Sequence, residues 1–282
     1  MAIDKAVDST ALDSALTDIA NAIRAKTGKT DPLTLEQMPS EIESISGGGA
    51  DHSVEDAIIT RSITGVYEND RITTVGNYAF SNCSNLTSVI LPNCGSLGES
   101  AFAVCRRLLS AGLPKCESIG GGAFTTCQSL NNIDAPILTT LGNNAFYNSG
   151  LLTFNGPLVT SIGDTCFQGA SRLTSVTLPL VTTVPSGCLR SCTKLERVDL
   201  GAATSIVRTA FTDSTALKTL IIRTETLCTI ADASVTLRGS KIAAGTGYIY
   251  VPDELVDSYK TATNWVAFAN QIKPISALEA ST

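Results

Sequence analysis

The sequence predicts a β-rich solenoid of about seven repeats, with a small helical segment before it and an α/β cap after it. Two observations carry this prediction. An Ala-Phe pair, or a close variant such as Cys-Phe or Cys-Leu, follows a fixed marker position in every repeat. The marker recurs after 22 residues, or once after 21, at these positions: Gly76, Gly98, Gly120, Gly142, Gly163, Pro185 and Val207. A period this regular is typical of repeats that bury their apolar sides only by stacking on one another.

Residues 1–50 are predicted to form two short helices and a glycine-rich joint. Leu12, Leu16, Ile19 and Ile23 are spaced to lie on one face of the first helix. The stripe has two interpretations: a hairpin that packs on itself, or an attachment and oligomerisation element that completes a core with other subunits. We favour the second, because two short helices bury little area alone.

The remaining chain divides into three predicted parts. Residues 51–71 lack the repeat but alternate apolar and polar side chains, which predicts cap strands over the first open turn. Residues 72–231 form the solenoid, with an Ala-Phe segment predicted as a single helical turn in each repeat. Residues 232–282 form a C-terminal cap: a strand at Gly247–Pro252, a helix after it, and a final helix capped by Asn264 that places Trp265 over the last turn.

Periodicity gives each repeat an inward and an outward side. In the first repeat Leu86, Val89 and Leu91 are predicted to point inward. Outward positions form two columns along the main strands, and their polar members are our candidate binding face. These candidates are Asn131, Asp134, Asn155, Thr174, Thr177, Glu196 and Asp199, and Ile221 continues the second column. The alternative is a solvated Ser/Thr ladder that only keeps the turns in register.

Composition restricts the partners. The net charge of −6 and the pI near 4.9 argue against nucleic acid and against an anionic membrane, since both require a basic surface. No signal peptide and no run of 18 apolar residues is seen, so we expect synthesis and folding in the cytoplasm without membrane insertion. Nine cysteines, an odd number, agree with a reducing compartment.

The segment ITTVGNYAFSNCSNLTSVILPNC (72–94) resembles the repeat of the BspA-like leucine-rich repeat family. The ending YIYVPDELVDSYKTATNWVAFANQIKPI (248–275) also looks like the tail that closes such arrays. The segment LTDIANAIRAKTGKTDPLTLEQMPSEIESI (16–45) is similar to helical modules at the start of phage and prophage tail or fibre proteins. These resemblances imply a leucine-rich-repeat solenoid that acts as an adhesin or virion surface protein rather than as an enzyme.

No residue pattern indicates catalysis, a cofactor or a metal. Cys83, Cys94, Cys105, Cys116 and Cys127 recur every 11 residues, but zinc sites need close pairs that converge. Alanine, serine, leucine or valine fills the equivalent positions in other repeats, so we interpret these cysteines as core residues. The single histidine, His52, lies outside the repeats, where a catalytic triad is improbable.

The preferred function is a phage or prophage virion protein, such as a tail fibre. Its N-terminal helices would bind other virion proteins and form a homo-oligomer, for example a trimer, and its repeats would bind a host surface protein or saccharide. The alternatives are a bacterial cell-surface adhesin of the same repeat family and a cytoplasmic protein-binding scaffold. The localisation follows each case: virion, cell surface or cytoplasm.

Overall fold

A computed structural model of the chain describes residues 63–280. These residues form a continuous stack of similar turns. Each turn adds one strand to a main sheet and a two-residue strand to a second sheet, and the strand pairs within the described part are parallel. The main strands are β1 (Gly65–Glu68), β3 (Leu86–Ile90), β5 (Ser110–Gly112), β7 (Asn132–Asp134), β9 (Thr153–Asn155), β11 (Ser175–Leu178), β13 (Arg197–Leu200), β15 (Thr219–Ile222), β17 (Tyr248–Val251) and β18 (Ile272–Pro274). The short strands are β2 (Thr74–Val75), β4 (Ser96–Leu97), β6 (Ser118–Ile119), β8 (Thr140–Leu141), β10 (Ser161–Ile162), β12 (Thr183–Val184), β14 (Ser205–Ile206) and β16 (Thr229–Ile230).

The inward positions predicted from the repeat are buried. Leu86, Val89 and Leu91 have no exposed area, and the equivalent leucines from Leu108 to Leu217 are buried in the same way. Phenylalanine rings form a ladder through the core: Phe80, Phe102, Phe124, Phe146 and Phe167 stack with centroids 4.8 to 5.5 Å apart. The solenoid prediction is therefore confirmed, since the turns share one continuous core.

The Ala-Phe segment is a pair of tight turns, so the predicted helical turn is wrong. Its backbone N–H groups alternate between a local acceptor and the next turn: Ser81 N–H donates to Tyr78, whereas Phe80 N–H donates to Ala101 at 2.7 Å. This alternation requires two left-handed residues four positions apart, and a helix tolerates neither. In the first repeat they are Tyr78 (φ 60°) and Asn82 (φ 64°), and the following repeats place left-handed residues at the same two positions.

Each sheet is interrupted once. The main sheet runs from β1 to β7 and restarts at β9, and the second sheet runs from β2 to β10 and restarts at β12. Proline accounts for the break in the second sheet, between β10 and β12. In later turns Val207 N–H donates to the Val184 carbonyl, but Pro185 occupies the preceding equivalent position and has no N–H to donate to Ile162. The break in the main sheet, between β7 and β9, has a different origin.

Aromatic side chains cover both ends of the described stack, and two details differ from the prediction. Tyr67 of β1 packs on Phe80, and Trp265 is buried and donates from Nε1 to the Cys228 carbonyl at 2.7 Å. Asn264 caps no helix: its side-chain amide donates to the Ile230 carbonyl at 2.8 Å. The sequence also gave no indication of β18, which adds one more strand beyond β17.

Short helices complete the C-terminal part. They are α1 (Ala233–Thr236), α2 (Val256–Thr261) and α3 (Ile275–Glu279), with 3-10 segments at Asp253–Leu255 and Val266–Gln271. Within residues 63–280, no helix has the length and apolar character needed to cross a membrane. The predicted boundaries at residues 50, 71 and 231 stay predictions, and Leu12, Leu16, Ile19, Ile23 and His52 lie outside the described residues.

Candidate functional site: a cleft in the main sheet

A cleft of about 240 Å³ opens where the main sheet is interrupted, between β7 and β9. Its lining combines an apolar floor with polar side chains on both strands. Ile133 is partly exposed here, whereas Val89, Ala111 and Val176 at equivalent positions are buried. The lining residues are Asn132, Ile133, Asp134, Ala135, Pro136, Leu138, Thr153, Phe154, Asn155, Gly156 and Pro157.

One feature that coincides with the break is the bulk of Phe154. The equivalent inward positions hold Val89, Ala111 and Val176, which are much smaller. The Phe154 ring packs against two members of the phenylalanine ladder, 5.8 Å from Phe146 and 4.9 Å from Phe167. Phe154 thus adds aromatic volume to the core at the turn where the main sheet restarts, although Tyr67 occupies the equivalent position of β1 without a break.

The second feature is a turn that is one residue short. It lies between Ser149 and Leu151, which explains the single repeat of 21 residues. Gly150 donates to the Cys127 carbonyl at 3.0 Å, and a Cβ at this position would collide with the Gln128 carbonyl. The short connection thus draws the start of this repeat against its predecessor, and only glycine fits there.

A hydrogen bond joins the chain segments just before β7 and β9, but the two strands are not hydrogen-bonded where they end. Leu152 N–H still donates to the Asn131 carbonyl, at a long 3.4 Å. At the far end, Leu113 N–H donates to Asp134 and Gly156 N–H donates to Thr177, but the equivalent bond from Ala135 to Asn155 is missing. The cleft therefore presents an unbonded backbone donor at Ala135 and an unbonded acceptor at Asn155.

The seven candidate binding residues divide into two groups in the structure. Asp134 and Asn155 both line the cleft, on opposite strands, and Thr177 lies beside Asn155 in the sheet. The others take part in contacts between turns. Arg172 donates to the Asn131 amide oxygen at 2.8 Å, the Thr174 hydroxyl donates to the Leu152 carbonyl at 2.9 Å, and Glu196 pairs with Lys218 at 2.7 Å.

Asp199 and Ile221 belong to the outward columns by strand register, but neither is exposed to solvent as a binding face requires. Ile221 has no exposed area, and the Asp199 side chain is only 13% exposed. Asp199 accepts from Arg197 at 3.0 Å and from both Nε and Nη2 of Arg223. The hydrogen bond with Asp199 raises the pKa of Arg223, and Glu279 of α3 adds to this effect. The C-terminal helix thus reaches this end of the outward face, which repeat periodicity could not show.

Sequence reasoning missed Asn132, Thr153, Phe154 and the Ala135 N–H. Two signals were available: the shortened repeat, and Phe154 at a position where the adjoining turns carry Ile133 and Val176. Neither signal identifies a cleft without the strand pairing. The polar side chains of Asn132 and Thr153 also look no different from other outward residues of the solenoid.

An exposed apolar ridge borders the cleft. Ile137, Leu158 and Leu180 occupy equivalent positions in three successive turns, each directly after a proline, and are 37%, 45% and 43% exposed. The two preceding turns carry polar residues there instead, and Lys115 donates to Asn93 at 2.8 Å. The surface character therefore changes along the solenoid at the turn that forms the cleft.

The cysteines are buried core residues, as predicted. All nine are free thiols, and no group of three metal-ligand side chains occurs among residues 63–280. Cys105 and Cys127 donate to the carbonyls of Phe80 and Phe102 at 3.0 Å. Burial raises the pKa of the Cys127 and Cys192 thiols to about 12. These thiols stay protonated at neutral pH, which makes them poor nucleophiles and poor metal ligands.

A stack of parallel turns with an open, polar outer face defines a leucine-rich-repeat solenoid, a class of binding and scaffold folds. The chain belongs to the BspA-type leucine-rich repeat family. The family model, a BspA type leucine rich repeat region in six copies, matches residues 59–159 and 139–236, which together exceed half of the 282 residues. No curated protein sequence matches the chain.

Several solved structures are similar to this chain. The T. pallidum leucine rich repeat protein is 27% identical, and the match covers 51% of this chain and 71% of that protein, with a TM-score of 0.48. A leucine rich cell surface protein from Faecalibacterium prausnitzii is 18% identical over 78% of this chain and 82% of its own, with a TM-score of 0.38. A pneumococcal vaccine antigen is 14% identical over 67% and 62%, with a TM-score of 0.40.

Proposed function

We propose that the solenoid is a non-enzymatic binding module that adheres to a surface protein or saccharide through the cleft between β7 and β9. The observation that supports this proposal is the missing Ala135–Asn155 hydrogen bond. The equivalent bonds are made in the neighbouring turns, so its absence leaves the Ala135 N–H and the Asn155 carbonyl available at the cleft. Open backbone groups beside an apolar floor can orient a polar ligand, as the few polar groups of ligand sites do.

The chemistry of the lining favours recognition over catalysis. Asp134 and Asn155 supply a carboxylate and an amide, which orient polar ligands, and Ile133 and Phe154 supply an apolar floor. A hydrolase of the glycosidase type needs two carboxyl groups in one site, whereas Asp134 is the only carboxylate among the cleft residues. The arrangement suits reversible binding of a partly polar ligand.

The proposed carrier of this module is a phage or prophage virion, with the N-terminal segment attached to other virion proteins, as a homo-oligomer. Only the resemblance of residues 16–45 supports this carrier. A bacterial cell surface is the alternative carrier, and it agrees with the family, whose members are often cell-surface proteins. A cytoplasmic scaffold remains the third possibility, and no feature of the cleft favours it.

Binding is tested with the full chain on an array of cell-surface glycans and purified surface proteins. We expect saturable binding to at least one class, and binding to none of them would contradict the proposal. The carrier is tested separately by fractionating the native host after prophage induction. Recovery in particles supports the virion, and recovery in the envelope supports the adhesin.

A further inference from the structure

We infer that the cleft between β7 and β9 binds the acetamido group of an N-acetylated sugar. This inference rests on the proposed adhesive function and specifies its ligand. A secondary amide carries one N–H donor, one carbonyl acceptor and, in an acetamido group, one methyl group. The cleft offers a partner for each of the three.

The polar partners are backbone groups in a fixed relation to one another. In the neighbouring turns, the N–H of Leu113 meets the carbonyl of Asp134, and the N–H of Gly156 meets the carbonyl of Thr177. By the same register the Ala135 N–H and the Asn155 carbonyl are the equivalent pair, but no hydrogen bond joins them. An amide placed between them accepts from Ala135 and donates to Asn155, and so replaces the missing step of the ladder.

The apolar partner is the floor of the cleft. Ile133 is partly exposed only because β9 stands away from β7, and the buried Phe154 ring lies on the other side. A methyl group directed inward covers this area and removes it from water, which is favourable by about 25 cal/mol per Å². A hydroxyl in place of the acetamido group has no such contact.

The rim of the cleft suits the rest of a sugar. Asn132, Asp134 and Thr153 are exposed around the opening and present amide, carboxylate and hydroxyl groups to solvent. Such groups pair with sugar hydroxyls without a large desolvation penalty. These rim groups orient the sugar, whereas the contacts with the acetamido group select N-acetylated sugars over other sugars.

The shape of the cleft favours a sugar over a peptide strand. Inserting an extended chain requires two fully separated edges, but the Leu152 N–H still donates to the Asn131 carbonyl and closes one end. The volume of about 240 Å³ is also below that of pockets for drug-sized ligands. A single ring with one amide substituent fits this closed-ended space.

The first test compares two ligands on the unmodified full chain by saturation-transfer NMR and titration. The probes are the methyl glycosides of N-acetylglucosamine and of glucose, which differ only in the acetamido group. We expect the acetamido sugar to bind at least about tenfold more tightly, because a site built for an amide leaves its polar groups unpaired with the analogue. Equal binding of the two sugars would overturn the inference.

The second test removes one hydrogen-bond donor. Ala135→Pro deletes the N–H, and Ala135 already precedes Pro136, which restricts it to an extended backbone that proline tolerates. Lys115→Ala, an exposed position on the preceding turn outside the cleft, is the control. We expect Ala135→Pro to weaken N-acetylglucosamine binding by about tenfold, and Lys115→Ala to bind as the wild type does. Unchanged binding by Ala135→Pro, or equal losses in both variants, with folds verified by circular dichroism, would contradict the assigned donor.

These experiments distinguish a failure of this inference from a failure of the proposed function. A short acetylated alanine peptide serves as a third probe, and binding of the peptide without the sugar would replace the ligand class assigned here. Array binding that persists while neither sugar binds overturns this inference and leaves the adhesive function standing. Absence of any array binding removes the adhesive function itself.

Discussion

Asp199 and Arg223 form a bidentate pair across adjacent turns, with Nε to Oδ1 at 2.8 Å and Nη2 to Oδ2 at 3.0 Å. The carboxylate side chain is only 13% exposed, so it depends on its two arginine partners for hydrogen bonds. The pair is a structural contact at the C-terminal end of the outward face and leaves Asp199 unable to act as a free ligand-binding group.

Replacing Arg223 by alanine tests that role. We expect Arg223→Ala to lower the free energy of unfolding by about 1–3 kcal/mol, because a mostly buried carboxylate loses two of its hydrogen bonds. The measurement is urea unfolding followed by circular dichroism. The control is Lys218→Ala, which breaks the exposed pair with Glu196 and is expected to cost about 0–1 kcal/mol. A smaller loss for Arg223→Ala than for Lys218→Ala would refute the structural role of the pair.

Two buried serines at equivalent positions are predicted to respond differently to alanine. Ser214 Oγ donates to the Leu189 carbonyl at 2.6 Å and accepts from the Cys192 N–H at 3.1 Å, whereas Ser149 Oγ is buried without a hydrogen-bond partner. We expect Ser214→Ala to cost about 1–3 kcal/mol, and Ser149→Ala to be neutral or slightly stabilising. Equilibrium unfolding compares the two variants directly. Equal costs would show that the hydroxyl bonds do not determine stability at this column.

Because the turn is one residue short, we predict that Gly150 cannot be replaced by a residue with a side chain without loss of stability. A methyl group there collides with the Gln128 carbonyl, so we expect Gly150→Ala to cost about 1–3 kcal/mol or more, as overpacking does. Gly95→Ala is the control, since its nearest neighbour would be the Thr73 carbonyl oxygen at 3.7 Å, an ordinary contact. Thermal unfolding measures both variants. A normal melting temperature for Gly150→Ala would mean that the turn can move away from its neighbour.

Buried thiols predict a loss of stability at alkaline pH. Burial raises the pKa of Cys127 and Cys192 from an ordinary value of 9.0 to about 12. Below pH 9 the thiols are protonated in both the folded and unfolded states. Between pH 9 and pH 12 only the unfolded chain ionises, so the free energy of unfolding falls as pH rises.

The measurement is urea unfolding at about pH 7 and about pH 10, for the wild type and for the double variant Cys127→Ala, Cys192→Ala. Alanine is a reasonable replacement because Ala170 occupies the same column. We expect a smaller loss at high pH in the double variant. A loss of the same size in both proteins would assign the alkaline sensitivity to other groups.

The core of the solenoid could be predicted from the sequence, whereas the surroundings of Asp199 could not. Leu86 and Phe80 lie in the core because the period places them there, and stacking requires that every turn repeat the same pattern. Asp199 departs from the expected exposure because its surroundings depend on Arg223, which stands where earlier turns carry Pro179 and Gly201, and on Glu279 of α3, which lies outside the repeats.

The cleft was only half predictable. Asp134 and Asn155 could be chosen as outward polar residues, but their meeting in one site depends on a sheet that fails to pair. The break coincides with the bulk of Phe154 and the short turn at Gly150, and strand pairing is a long-range property that a local period does not encode. Backbone groups such as the Ala135 N–H have no sequence signature at all.

The central claim, that the cleft is the adhesive site, is tested most directly by blocking it. Thr153→Trp places a large side chain on an exposed strand position that lines the cleft, and Thr219→Trp makes the same change three turns away, in the same register position on β15. The probe is the array of cell-surface glycans and surface proteins. We expect Thr153→Trp to lower the bound signal about tenfold and Thr219→Trp to bind as the wild type does. Undiminished binding by Thr153→Trp would contradict it.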